Sequence, residues 1–124
     1  MSGVGIDLLD VERFERVLRR RPRLAERLFT EAERDYAAAR ARPAMHLAAR
    51  FCAKEAVAKA LGLGMRLPMR WHAVEILNDP SGRPFASMHA DLKRFVERHR
   101  LRLHVSLTDA EQTAAAYAIA EVIE

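Results

Sequence analysis

The chain has 124 residues, half of them apolar and 31% charged, with a formal net charge of +4 and one cysteine. That length fits one domain with a real core. A lone Cys52 excludes an internal disulfide, scattered histidines leave no structural zinc pattern, and no apolar run approaches the roughly 20 residues of a membrane helix.

A pI near 9.8 points either to an acidic or phosphorylated partner or simply to an arginine-rich solvated surface. The first residues lack the basic and apolar stretches of a secretory leader, and a cytoplasmic location is expected. Val4, Gly5 and Ile6 read as a short strand ending at Asp7. Val11, Phe14, Val17 and Leu18 follow helical spacing behind Asp10 as N-cap, and the helix should stop before Pro22. Thr30 and Glu33 match a capping box opening a helix to about residue 40. After Pro43 a longer helix is expected over 44–61, with Gly62 as its left-handed C-terminal residue.

A loop should follow over 65–72, then a strand over 73–77, a dense turn signal at 78–82 and a returning strand over 84–88. A short helix is expected over 90–99. Leu101, Leu103, Val105 and Leu107 alternate with polar residues, which predicts a strand with one polar face, and 115–122 should pair with it. Helices come first and strands later, so the fold class expected is α+β, a single domain over 1–124 with an antiparallel sheet packed on helices.

The segment AARFCAKEAVAKALGLG, residues 48–64, places charges in an otherwise buried-looking helix. Residues four apart are helical neighbours, so Glu55 stacks with Lys59 and Arg50 with Lys54. An ordinary Glu55–Lys59 ion pair is one reading, worth a few tenths of a kcal/mol. Three other stretches support a second. Asp7 follows a Gly-containing apolar strand, where a buried carboxylate needs a partner; it either caps the next helix or shares a hard cation with Glu55. Two carboxylates plus phosphate oxygens suit Mg²⁺, which takes few protein ligands. Ser81-Gly82-Arg83-Pro84 is a turn whose Arg83 and glycine backbone could hold a phosphate or an adenine edge. His104, Ser106 and Thr108 share one strand face that is either merely solvated or part of the same site.

Taken together, GVGIDLLDVERF (3–14), FTEAERDYAAARARPAMHLAARFCAKEAVAKALGLG (29–64), NDPSGRPF (78–85) and LHVSLT followed by AAAYAIAE (103–121) resemble the holo-acyl-carrier-protein synthases. These are the short, single-domain 4′-phosphopantetheinyl transferases. The resemblance spans essentially the whole chain. It implies the transferase fold, assembled as a homotrimer with active sites between subunits. It also implies transfer of the phosphopantetheine arm of coenzyme A to a serine of apo acyl carrier protein, releasing adenosine 3′,5′-bisphosphate, in fatty-acid or polyketide synthesis.

By motif position, Asp7 and Glu55 match the Mg²⁺ carboxylates, and Lys59 matches the lysine on the reacting phosphates. Arg50 and Lys54 match basic cofactor-binding positions of the same helix. Gly62, Gly82, Arg83 and Pro84 match the lining of the coenzyme A pocket, and His104 lies on the strand a neighbouring subunit presents to the nucleotide. Arg13 matches a position that meets the acidic carrier protein, and Arg20 belongs to the same cationic strip. Where the family often has a second histidine after this strand, Thr108 is followed by Asp109.

The bond broken is a diphosphate linkage, so positioning and electrostatic stabilisation carry the catalysis the resemblance implies. Catalytic roles are expected for Asp7, Glu55 and Lys59, with Glu55, directly or through a metal-bound water, as the base for the carrier serine. Three alternatives stand beside this reading. One is a basic nucleic-acid-binding module, drawn from the arginine cluster; the absence of a DNA- or RNA-binding motif weighs against it. Another is a Mg²⁺-dependent phosphohydrolase using water as acceptor, and the third is a non-catalytic trimer whose only support is Asp109. Neither a nucleic acid nor a membrane is an expected partner.

Overall fold

In the computed structural model, which describes residues 2–124, strand β1 (Gly3–Asp10) runs straight into helix α1 (Val11–Arg20). The switch is local chemistry: Asp10 is extended, and its Oδ1 accepts from the Arg13 N–H at 2.9 Å, satisfying one orphan donor of the first turn. β1 is twice the length the apolar run suggested, so Asp7 lies in mid-strand and caps nothing. A short helix, α2 (Leu24–Leu28), follows Pro22 and carries no periodic signal long enough to read. The capping box opens α3 (Glu31–Ala38), with Thr30 accepting from the Glu33 N–H and Glu33 from the Thr30 N–H.

Helix α4 (Pro43–Ala60) is the central element, with proline in its first turn and Gly62 at φ +73° just past its end. A single 3₁₀ turn, Trp71–Ala73, leads to the hairpin of β2 (Val74–Asn78) and β3 (Pro84–Met88). Helix α5 (Ala90–Arg98) precedes the second hairpin, β4 (Leu101–Asp109) and β5 (Thr113–Val122). The antiparallel strands divide into a three-stranded sheet, ordered β1-β5-β4, and the two-stranded β2-β3. One continuous sheet would have needed β3 to pair with β4.

α4 lies against the inner face of the three-stranded sheet, and the approach is unusually close. β5 presents Ala114, Ala116, Ala118 and Ala120, all buried, and α4 answers with Cys52, Ala53, Ala56 and Ala60. On β1 the inner positions are Gly3 and Gly5. A Cβ at Gly5 would lie 1.9 Å from the Ala56 carbonyl oxygen, and one at Gly3 2.0 Å from that of Ala60. These two glycines are therefore required by proximity to a helix backbone, not by turn geometry.

Candidate active site

The close approach also sets the register of chemistry. β1 runs antiparallel to α4: Gly3 faces Ala60 and Gly5 faces Ala56. Two strand residues advance about 6.6 Å and four helical residues about 6 Å, so each step along β1's inner face meets one turn of α4. Asp7, the next inner position, arrives beside Cys52 and Glu55. Burial pushes the Cys52 thiol up to about 12, and Asp7 and Glu55 add to the shift. Cys52 is thus a neutral core residue, its Sγ donating to the Ala114 carbonyl at 3.6 Å. Glu55's carboxyl is likewise held above its ordinary range, first by burial, then by the charge of Asp7, with Lys59 opposing both.

Lys59 does not pair with Glu55 as helical spacing predicts. Its Nζ crosses to β1, donating to the Ile6 carbonyl at 2.9 Å and meeting Asp7 Oδ1 at 3.3 Å. Asp7, Glu55 and Lys59 thus form one group at the β1–α4 seam: two like charges held together, partly balanced by a half-exposed ammonium. The two carboxylates offer hard oxygen donors of the kind Mg²⁺ takes. Among the described residues no set of three or more His, Cys, Asp and Glu could hold a metal unaided, so the other ligands of such an ion would be phosphate or water oxygens.

Comparison with known proteins now decides the family. The model of the 4'-phosphopantetheinyl transferase superfamily matches residues 3–120. The chain belongs to this superfamily. It is 50% identical over 120 residues to a holo-[acyl-carrier-protein] synthase of Salinispora arenicola, covering 96% of this chain and 97% of the relative. With the synthase of Geobacter sulfurreducens the identity is 45% over 123 residues, covering 98% and 94%. The crystal structure of the Neisseria meningitidis synthase superposes with a TM-score of 0.90 at 31% identity, over 96% of this chain and 97% of that one. A synthase from Bacillus anthracis, solved in complex with CoA (3',5'-ADP), gives 0.81 at 29% identity over 98% and 96%.

The other residues picked out from the superfamily pattern fall into separate places. Arg50, on a different face of α4 from Glu55, is buried at 4% exposure. Its Nη2 donates to Asn78 Oδ1, its guanidinium carbon stacks 4.0 Å from the Tyr36 ring centroid, and its Nε has no partner among the described residues. Arg40 stacks on the same ring at 3.5 Å. Burial pulls Arg50 below the ordinary arginine value, Tyr36 and Glu33 opposing it, and among the described residues no carboxylate forms an ion pair with either arginine. Gly82, at φ +90°, and Phe85 complete this cleft. Asn78, Tyr36 and Arg40 were missed from the sequence; the spacing of Tyr36 and Arg40, four apart on a capped helix, was the available signal.

Arg83, Pro84 and His104 share a second cleft, between β3 and β4. Asp79 shapes its rim by accepting from the Ser81 and Arg83 N–H groups and the Ser81 hydroxyl, all on Oδ1. His104 Nε2 lies 2.7 Å from Glu121 Oε1 on the outer face of the sheet. Arg13 and Arg20, seven apart, are exposed on one stripe of α1 and among the described residues make no ion pair. Gly62 lies in open space beyond α4, its carbonyl accepting from Arg66 Nη2 at 2.8 Å.

Lys54 is a correction. Read as a cofactor-binding cation, it is 0% exposed, with Nζ 2.7 Å from Glu33 Oε1 and donating to the carbonyls of Leu28 at 2.8 Å and Trp71 at 2.6 Å. Three acceptors saturate the ammonium, which has no exposed surface to offer a ligand. The helical-neighbour argument placed Lys54 beside Arg50 correctly, but α3 covers that stripe, which only the tertiary packing reveals.

Proposed function

We propose that this chain acts as a holo-acyl-carrier-protein synthase. It transfers the phosphopantetheine arm of coenzyme A to a serine hydroxyl of apo acyl carrier protein and releases adenosine 3′,5′-bisphosphate. The observation that carries the reading is the Asp7–Glu55–Lys59 group, assembled from β1 and α4 within a chain whose relatives bear that name. No feature of the fold favours the nucleic-acid or hydrolase alternatives.

Asp7 and Glu55 would hold the Mg²⁺, which when bound supplies a Lewis acid to the diphosphate. Lys59, already anchored on Ile6 and Asp7, places a positive charge where the departing phosphate gains negative charge. Glu55, its proton affinity raised by burial and Asp7, is the group to accept the serine proton, directly or through a water. Arg50 and Arg40, cations without carboxylate partners among the described residues, suit the anionic nucleotide end of coenzyme A. Arg83, Pro84, Gly82 and His104 line the rest of that cofactor's path.

The working unit on this reading is a homotrimer. Val4, Ile6 and Leu8, 59%, 60% and 66% exposed, alternate on the outer face of β1, beside a 42%-exposed Tyr117 opposite Ile6. An apolar sheet face of this kind favours burial against another copy. The cleft of Arg83, Pro84 and His104 includes none of Asp7, Glu55 or Lys59, so a second subunit completing the site gives both halves a purpose. The reaction belongs to the reducing cytoplasm, within one domain spanning 1–124. The test is mass spectrometry of an apo carrier protein after incubation with the chain, coenzyme A and Mg²⁺. A mass gain of one phosphopantetheine arm is expected; an unchanged carrier refutes the proposal.

A further inference from the structure

The cleft between α3, α4 and the β2–β3 turn, about 500 Å³, is lined by a buried cation that has no carboxylate partner among the described residues. That cation, Arg50, is held by a tyrosine ring and an amide. Glu33 acts on it only through space, because Glu33 Oε1 is taken by Lys54 Nζ and the Thr30 N–H, and Oε2 by the Ile76 N–H. Asp79, the carboxylate in the lining, is turned onto its own loop, where Oδ1 accepts three donors. The hydrogen bond that fixes Arg50 therefore comes from Asn78, whose Oδ1 accepts from Nη2. A neutral acceptor orients a guanidinium without cancelling its charge.

Asn78 is the last residue of β2, where an asparagine has a simpler reading as a turn former. The turn closes without it. The Asp79 N–H donates to the Arg83 carbonyl at 2.9 Å, the Gly82 N–H donates to the Asp79 carbonyl at 2.9 Å, and the three bonds to Asp79 Oδ1 complete the loop. Asn78 instead spends both ends of its amide across the cleft, Oδ1 on α4 and Nδ2 on the Gly82 carbonyl at 2.9 Å. Gly82, at φ +90°, is the freest point of the turn, and this bond fixes its carbonyl. Arg50 lies five residues before Glu55, about 7.5 Å of helix rise. The amide thus ties the turn to the helix that carries the reacting carboxylate.

We infer that Asn78 is a positioning residue for coenzyme A: its amide aims the Arg50 guanidinium and the Gly82 turn at the anionic end of the cofactor while leaving the cation un-neutralised. The inference rests on the proposed function for the cofactor's identity. It adds a residue that touches no reacting atom and acts through Arg50. An aspartate of the same shape would hold Arg50 more tightly, by a charge-assisted bond, but would also answer its charge. The role therefore calls for an amide. Stability and cofactor affinity should move in opposite senses when that amide becomes a carboxylate, which a residue serving only the fold would not produce.

Wild type, Asn78→Asp and Asn78→Ala are titrated with coenzyme A and Mg²⁺ by calorimetry in the absence of carrier, and each is melted and assayed for transfer. Both variants should bind coenzyme A about tenfold or more weakly, the scale of one lost contact to a charged group. The KM for coenzyme A should rise to match, with kcat and the KM for carrier within about twofold of wild type. Asn78→Asp should melt no lower than wild type. In an Arg50→Met background the same substitutions should change coenzyme A affinity less than about twofold, because the group they act through is gone. An equal loss in that background would overturn the inference, as would a loss confined to kcat. A melting temperature of Asn78→Asp that drops in step with its affinity would mark a merely structural role and overturn it too. If wild type transfers the arm and both variants bind coenzyme A as tightly as it does, the inference fails and the transferase reading stands. If the variants lose affinity as expected but wild type transfers no arm, the inference holds and that reading falls. If wild type neither binds coenzyme A nor transfers, both fall.

Discussion

Glu55 and Lys59 are neighbours by helical spacing, yet Lys59 turns away to Asp7 and the Ile6 carbonyl, 53 residues distant in sequence for the latter. A carbonyl and a carboxylate together hold an ammonium better than one exposed i,i+4 carboxylate, which is worth only a few tenths of a kcal/mol. Glu55 is left with a raised carboxyl beside an Asp7 that Lys59 only partly balances. Glu55→Gln should therefore separate function from stability. Turnover falls at least about a hundredfold, the usual scale of a lost general base. The melting temperature does not fall, because the substitution removes repulsion with Asp7. Carrier modification by mass spectrometry and thermal unfolding of the same sample check both halves. Lys59→Ala should lower kcat, by about a hundredfold for a lost charge-stabilising donor, more than it raises the KM for coenzyme A. Steady-state kinetics with coenzyme A varied distinguish these, and a change confined to KM would assign Lys59 to ground-state binding.

At the scale of elements, α4 is held between a glycine-lined strand and a buried charge. Gly5→Ala would drive a methyl into the Ala56 carbonyl, a contact neither backbone can relieve without separating β1 from α4. Overpacking of this kind costs about 1–3 kcal/mol or more, and activity should fall with it because Asp7 moves with the strand; urea unfolding beside an activity assay gives the measurement. On the other side Lys54 is locked to Glu33, whose Oε2 also accepts from the Ile76 N–H at 2.8 Å. Burial lowers Lys54's pKa while Glu33 and Glu75 oppose it.

Removing one partner leaves a buried charge, so Lys54→Ala should cost about 3–5 kcal/mol in urea unfolding. Replacing the pair with apolar or amide groups of similar volume should cost less. Glu75 joins the same network, accepting from Thr30 Oγ1 at 2.6 Å and facing His89 Nε2 at 3.0 Å. Burial pushes its carboxyl up, but those hydrogen bonds and the charges of His89 and Lys54 win, leaving it below the ordinary 4.5. A lowered carboxyl contributes stability that is present above its unfolded value and is lost as pH falls through the folded one. The stability gap between wild type and Glu75→Gln should therefore narrow as pH drops below about 4.5, read from chemical unfolding at pH 7 and pH 3.5.

At the scale of the molecule, the proposed function gives the outer sheet face and the α1 stripe different partners. Ile6→Glu places a charge in the middle of the apolar β1 face without touching α4. If that face joins three subunits, the variant should elute as a monomer in light-scattering chromatography. It should keep its secondary structure and lose activity, because the Asp7–Glu55–Lys59 group and the Arg83–His104 cleft then lie on separate molecules. The α1 stripe, Arg13, Arg16 and Arg20 with Arg21 beyond, should make carrier association salt-dependent, weakening as the screening length falls from about 10 Å at 0.1 M to 3 Å at 1 M.

Much of this protein was legible from local signals. Asp10 as a cap, the Thr30–Glu33 box, the proline and glycine bounding α4, and the turn at 78–82 depend on groups a few residues apart, and each appears in the structure where the residues imply. The resemblance carried by the GID and RFCAKEAVAKA stretches likewise singles out Asp7, Glu55 and Lys59. Only the tertiary fold decided what those side chains meet. Lys54 became a core cation because α3 covers it, Lys59 chose β1 over its own helix, and Gly5 is needed because another backbone passes within 1.9 Å of its missing methyl. Short-range chemistry writes caps and turns directly into the residue order, whereas burial and long-range pairing arise only when distant segments are pressed together.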